Sequence, residues 1–289
     1  MLRLIINADD LGLTSGVNRA IEEAARAGAI TSATLMANSS RFEEAVASAR
    51  KLPGLKIGCH VVLVDGEPLS SQVNSLTNGT GKFRSSLKDF ALAAGKKRIA
   101  QDEIQREAQA QIRKIQSAGL TLTHVDTHKH THIFPHVLLP VIKAAKACGI
   151  NSIRNPFEPF RAWPGTTVLR KPGLWIRAFE VGLLLKFAGD FFRIIREEGM
   201  TSTEGTIGII ATGKLNQALL ERTIQVLPEG TWEMVCHPGY MDADLTAAGT
   251  RLLASRQVEL EALTSEETRN AMAQRGVELI SYENLALGH

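Results

Sequence analysis

The sequence predicts an α/β fold, a deformed (β/α) barrel of about seven parallel strands. Three observations predict it. Short apolar runs alternate with stretches of helical period along most of the chain, the order that builds parallel sheets. A length of 289 residues suits one α/β domain with a sizeable buried core. Uncommon polar residues fall at the ends of expected strands: Asp9-Asp10, His60, a tract beginning at His124, and His237. That edge is where barrels of this kind assemble their sites.

Residues 2–8 form a short apolar run bounded by acids, the pattern of a strand buried on both faces. A helix follows, with Ser15 as its expected N-cap. Residues 31–37 read as the second strand, 42–49 as a helix, and 55–63 as the third strand with Cys59-His60 at its centre. From 70 to 94 the composition turns to Ser, Asn, Gly and Thr, which marks a surface loop expected to border the site. Residues 100–118 are strongly helical, 122–128 are a strand, 137–148 a helix ended by Gly149, and 151–154 begin another strand. An amphipathic helical insertion is expected around 161–202 within a single domain spanning 1–289. The alternation resumes with strand 206–211, helix 215–226, strand 231–236, helices 249–261 and 265–275, and a last strand 278–281.

Composition excludes several classes. A net charge of +3 with 22% charged residues gives no basic block interleaved with aromatics, so no nucleic-acid partner is expected. Cys59, Cys148 and Cys236 are odd in number and widely spaced, which fits reduced thiols rather than a disulfide framework. The apolar run at the N-terminus is too short for a signal peptide, and the greasiest segment, 174–195, is interrupted by Arg177, Glu180, Lys186 and Asp190. The expected location is cytoplasmic, with the inner membrane surface as an extension of it. Segment 174–195 is expected to be a core helix, a peripheral membrane contact or a homodimer face.

The densest chemistry lies in His124-Val125-Asp126-Thr127-His128-Lys129-His130-Thr131-His132, followed by Ile133-Phe134-Pro135-His136. His124, Asp126, His128, His130 and His132 occupy alternate positions, so a continuous strand would line them on one face. Neighbours on a strand face stand about 7 Å apart, so only one or two of the row can touch a single ion, and other ligands must come from elsewhere. Taken singly, each feature has a plainer explanation: Asp9-Asp10 as a helix cap, His60 as a core histidine, Cys236-His237-Pro238-Gly239 as a turn. Their agreement at four strand ends favours metal-assisted hydrolysis, in which imidazoles and a carboxylate hold an ion while a second carboxylate takes a proton. Neither a Gly-x-Ser-x-Gly elbow nor a glycine-rich phosphate loop is present.

Asn7-Ala8-Asp9-Asp10-Leu11-Gly12, Gly58-Cys59-His60, the tract from His124 to His132, and Cys236-His237-Pro238-Gly239, in this order, resemble the YdjC-like carbohydrate deacetylases, the family of the chitooligosaccharide deacetylases. Ser15-Gly16-Val17-Asn18, Ser32-Ala33-Thr34-Leu35-Met36, Leu52-Pro53-Gly54-Leu55 and Asn155-Pro156-Phe157-Glu158-Pro159 look most similar to its hopanoid-associated HpnK branch. The resemblance implies a deformed YdjC/NodB-like barrel that removes the acetyl group from an N-acetylated amino sugar with one divalent ion, Mg2+ or Zn2+. It implies Asp10, His60 and His128 as metal ligands and Asp9 as general base. It implies His237 and the remaining histidines of the row, mainly His130, as candidates for protonating the leaving amine or binding substrate, with His237 taken as the catalytic one and His130 and His132 as substrate-binding or supporting groups. Asp126 is expected to orient a histidine without touching the ion. The family's usual Asp-Asp-Phe-Gly is here Asp-Asp-Leu-Gly, a change that keeps both acids. The implied substrate is a soluble chitooligosaccharide or an N-acetylglucosaminyl glycolipid such as a hopanoid. A metal- or sugar-binding module without turnover is the alternative.

Overall fold

The structure, a computed structural model, describes residues 1–159 and 172–285. Among them seven strands form one sheet: β1 (Leu2–Leu11), β2 (Ser32–Leu35), β3 (Lys56–Val61), β4 (Leu122–Thr127), β5 (Thr206–Ile207), β6 (Gly230–Cys236) and β7 (Val277–Leu279). Every pairing is parallel, in the order β4-β3-β2-β1-β6-β5, with β7 also against β1. The helices are α1 (Ser15–Arg26), α2 (Phe42–Arg50), α3 (Leu87–Gly95), α4 (Gln101–Ser117), α5 (Pro135–Ala147), α6 (Pro172–Leu184), α7 (Ala188–Glu198), α8 (Gln217–Val226), α9 (Ala243–Ala247), α10 (Ser255–Thr264), α11 (Glu266–Arg275) and α12 (Tyr282–Leu285).

β1 is the axis of the fold. β6 pairs with it from Leu2 to Ala8, while its other edge forks, with Leu2–Leu4 against β7 and Asn7–Leu11 against β2. The two sides of β1 serve different environments. Leu4, Ile6 and Ala8 join the main core, whereas Ile5 belongs to a small separate cluster with Ile280, Tyr282 and Leu285. Ile5, Asn7 and Asp9 thus share the inward face, by the two-residue period of a strand.

The deformation lies between β4 and β5. Residues 151–154, expected as a strand, make only bridges: the Val125 N–H donates to the Ser152 carbonyl at 3.0 Å and the Ile153 N–H to the Thr201 carbonyl at 3.0 Å. β5 is confined to Thr206–Ile207 where 206–211 was expected. Gly208 ends it, with φ 100° and a position where a Cβ would stand 2.5 Å from the Val235 carbonyl oxygen, so the backbone there turns in a way only glycine tolerates.

Two local expectations shift. Thr14, not Ser15, caps α1 by accepting from the Val17 N–H at 3.2 Å, while the Ser15 hydroxyl donates to Glu44. The helix expected over 249–261 begins only at Ser255, because Gly249, with φ 66°, lies in a turn. Of the expected insertion, residues 161–171 lie outside the described residues, and the rest forms α6 and α7. Among the described residues no helix is long and apolar enough to cross a membrane.

Candidate metal and catalytic site

The acids ending β1 point apart because the backbone is irregular between them. The register against β2 shifts between Ala8 and Leu11, and Asp10 has φ 66°, a left-handed conformation uncommon for a residue with a side chain. Asp9 stays on the inward face, where Asn7 Nδ2 donates to its Oδ1 at 2.9 Å. Asp10 turns toward β3 and the end of β4.

There it meets two imidazoles. Asp10 Oδ1 lies 3.6 Å from His60 Nε2 and 3.4 Å from His128 Nδ1, and the two nitrogens are 3.2 Å apart. Three donors held about 2.1 Å from one tetrahedral ion stand about 3.4 Å from each other, so the spacing fits a single cation. Asp10 Oδ1 is buried and has no hydrogen-bond partner, a costly state that a cation would relieve. Charge agrees with spacing. Burial alone would lower the His60 pKa, yet the carboxylates of Asp126, Asp9 and Asp10 raise it to about 9, so this pocket attracts positive charge. His60 Nδ1 is hydrogen-bonded to Asp126 Oδ1 at 2.8 Å, which aims Nε2 into the cluster.

A second grouping, Asp9, His60 and Asp126, also has donors within reach of one another. It is already filled by a cation of the chain itself. The fully buried Arg154 donates through Nη1 to Asp9 Oδ2 at 2.8 Å and through Nη2 to Asp9 Oδ1 at 2.7 Å, and it pairs with Asp126. Its Nε donates to Glu233 Oε1 at 2.8 Å, and Glu233 in turn accepts from the Tyr282 hydroxyl. Burial favours the neutral form of Asp9, but the Arg154 guanidinium outweighs it and holds the carboxyl well below the usual carboxylate range.

His237 follows β6. Its backbone N–H donates to Glu259 Oε2 at 2.7 Å, and its Nε2 lies 4.0 Å from Asp9 Oδ2. Burial lowers its pKa to about 4, so it is neutral near pH 7, and burial raises Glu259 to about 7. On the other side of the pair, Asp10 Oδ2 accepts from Arg256 Nη2 at 2.6 Å.

The alternating row does not survive as a row. β4 ends at Thr127, and Lys129 and His130 adopt left-handed φ of 56° and 53° within a tight turn over His128–Ile133. His124 is stacked on Tyr282 with ring centroids 3.8 Å apart, away from the ligand cluster. His132 is buried between the Thr127 hydroxyl at 2.7 Å and the Arg154 carbonyl at 3.1 Å, where it braces the turn against the Arg154 backbone. His130 lines the cavity, with Nδ1 buried and unpartnered.

The site opens into a cavity of about 880 Å³. Its lining mixes polar side chains, among them Asn38, Ser39, Asp65 and Lys129, with apolar ones, among them Phe134, Phe157, Val181, Leu184 and Leu252. Segment 70–94, expected as a loop bordering the site, is a loop only as far as Ser86; Leu87, the first residue of α3, lines the cavity, as do Asp65 and Gly66 ahead of the segment.

Sequence reading passed over Arg154, Glu233, Arg256, Glu259 and Tyr282. Two carried a signal: Arg154 is a charge at a strand end, and Glu233 a lone acid within an apolar strand run. Arg256 and Glu259 lie on α10, more than 240 residues from Asp9-Asp10, and nothing local marks them.

Residues 3–274 match the family model described as YdjC-like protein. A carbohydrate deacetylase of Brevibacillus brevis is 33% identical over 98% of this chain and all of its own length. Another, from Geobacillus stearothermophilus, is 34% identical over 96% of both chains. Among solved structures, a putative cellobiose-phosphate cleavage protein of Enterococcus faecalis superimposes with a TM-score of 0.76 at 26% identity, covering 98% of each chain.

Proposed function

The chain belongs to the YdjC-like family, and from that premise we propose that it is a metal-dependent hydrolase removing the N-acetyl group from an N-acetylated amino sugar. The observation that carries the reading is the trio Asp10, His60 and His128 around an unpartnered carboxylate oxygen, with a second carboxylate, Asp9, beside it in a cavity. Asp10, His60 and His128 are the residues that would hold the ion, and two imidazoles with one carboxylate favour zinc or a similar transition ion over magnesium. A divalent ion bound there supplies Lewis acidity, polarising an acetamide carbonyl and acidifying water.

The remaining steps belong to side chains. Asp9 is kept ionised by Arg154 and is the proton acceptor; its weak basicity means that it holds a proton only briefly. An amine leaves readily only once protonated. His237, neutral near pH 7 and with Nε2 4.0 Å from Asp9 Oδ2, is the residue we assign to carry a proton to the departing nitrogen, and a pKa of about 4 means that it gives that proton up readily. His130 is assigned to substrate contact, and Asp126 and His132 to holding His60 and the turn in place.

The cavity lining supports two substrate readings. Its polar residues suit the hydroxyls of a chitooligosaccharide, and its apolar residues support the second reading, an N-acetylglucosaminyl glycolipid of the hopanoid kind. The exposed Trp175, Phe179 and Leu183 on α6 support a peripheral membrane contact for that substrate, with a homodimer face as the alternative use. The test is acetate release from N-acetylglucosamine oligomers and from an N-acetylglucosaminyl lipid, with metal-stripped and zinc- or magnesium-loaded protein. Metal-dependent release is expected, with a loss of about 100-fold or more in kcat for Asp9→Asn at unchanged metal content. Wild-type turnover in the metal-loaded Asn variant removes the base assignment, and absence of release under every metal favours a binding module.

A further inference from the structure

The two oxygens of Asp10 have different surroundings. Arg256 Nη2 donates to Oδ2 at 2.6 Å, while Oδ1 faces the two imidazoles without a partner. Arg256 is itself fixed. It is 1% exposed, its Nε donates to the Leu252 carbonyl at 3.0 Å, and its stem packs on Gly239 so closely that a Cβ there would stand 2.9 Å from Arg256 Cδ. The glycine of Cys236-His237-Pro238-Gly239 is therefore needed to admit this arginine, and the Gly239 N–H donates back to the Arg256 carbonyl at 3.2 Å. A salt bridge at this depth does more than neutralise charge, because the guanidinium physically occupies the second coordinating position of the carboxylate.

We propose that Arg256 is a positioning residue for metal selection: by holding Oδ2 it restricts Asp10 to a single donor oxygen, and the site thereby favours small ions over larger ones that accept a carboxylate through both oxygens. The inference rests on the metal-dependent reading above and assigns to it a residue outside the ligand set. Selectivity between ions follows ligand number and flexibility, and groups that orient ligands alter metal affinity by about 10–100-fold. Arg256 acts on both.

The test is calorimetric titration of the metal-stripped chain with zinc and with cadmium, a larger ion that takes imidazole nitrogen and bidentate carboxylate alike. Wild type is expected to prefer zinc. Arg256→Met frees Oδ2, and the ratio of cadmium to zinc affinity rises by about tenfold; Arg256→Lys, which keeps one donor, stays near the wild-type ratio. Gly239→Ala keeps the arginine but pushes on its stem, so it shifts the ratio in the same direction and decides the matter if the Met variant folds poorly. An unchanged ratio in Arg256→Met, or in Gly239→Ala when that variant decides, overturns the inference and leaves the hydrolase reading standing. Wild-type protein that binds neither ion overturns both.

Discussion

Arg154 is a single buried cation set among three buried carboxylates. It bonds both oxygens of Asp9, pairs with Asp126 and donates twice to Glu233, all fully or nearly fully buried. In such a setting the net worth of the pairs is modest, but removing one partner exposes the full desolvation cost of the rest. Arg154→Met is expected to lower the unfolding free energy by about 3–5 kcal/mol, measured by denaturant titration. Arg154→Lys separates folding from chemistry. A lysine keeps the charge but not the planar fork, so Asp9 loses its two-point grip while the core stays neutralised. Its kcat should fall with KM little changed; a Lys variant with wild-type kcat would show that Asp9 needs no such grip.

At the scale of elements, what was legible is what local pattern controls. β1, β3, β4 and β6 are largely buried on both faces; the first half of β1 reads as a plain apolar run, while β3 and β4 were legible through the polar residues they carry at strand spacing. The histidine row failed for a physical reason: Lys129 and His130 take left-handed backbone without being glycine, and no residue type announces that. Arg154 and Glu233 are 79 positions apart, and their meeting is set by how β4 and β6 come round, not by any spacing in the chain. Helix α6 was legible as amphipathic but not in its use. Trp175, Phe179 and Leu183 recur every four residues and are exposed, Phe179 by 68%, while Glu180, Val181 and Leu184 line the cavity. One helix thus forms a wall of the site and an apolar outer stripe. If the stripe presents a lipid-borne sugar to that wall, Phe179→Glu should cut acetate release from the lipid by about tenfold or more and leave a soluble oligomer unaffected. Equal effects on the two substrates in parallel assays would remove the lipid role.

Over the whole molecule, the fold buries histidines as neutral groups, and this makes its stability depend on pH with a definite sign. Burial, reinforced by the nearby Arg154, brings His132 from 6.5 to about 3; burial brings His237 to about 4 and holds His124 well below its ordinary range. The unfolded chain binds protons at these positions below 6.5 and the folded chain does not, so stability falls as pH drops from about 6.5 toward 4. For a histidine so displaced the loss at pH 5 is about 2 kcal/mol. Glu259, raised by burial to about 7, and Glu233, raised by burial, act the other way, since their folded forms take up protons first. The raised pKa of His60 has no slope in this window: its contribution is complete below 6.5 and is lost only as pH climbs through about 9. Burial holds His130 well below its ordinary range too, and four histidines against two glutamates leave a net decline in acid. His132 offers the cleanest check, because it touches the Thr127 hydroxyl and the Arg154 carbonyl rather than the ligand cluster. In the metal-stripped protein, His132→Gln removes one titrating group, so the slope of unfolding free energy against pH between 6 and 4.5 should flatten by about 1.4 kcal/mol per pH unit. Denaturant titrations of both proteins across that range measure it, and parallel slopes would mean that His132 carries its proton inside the fold.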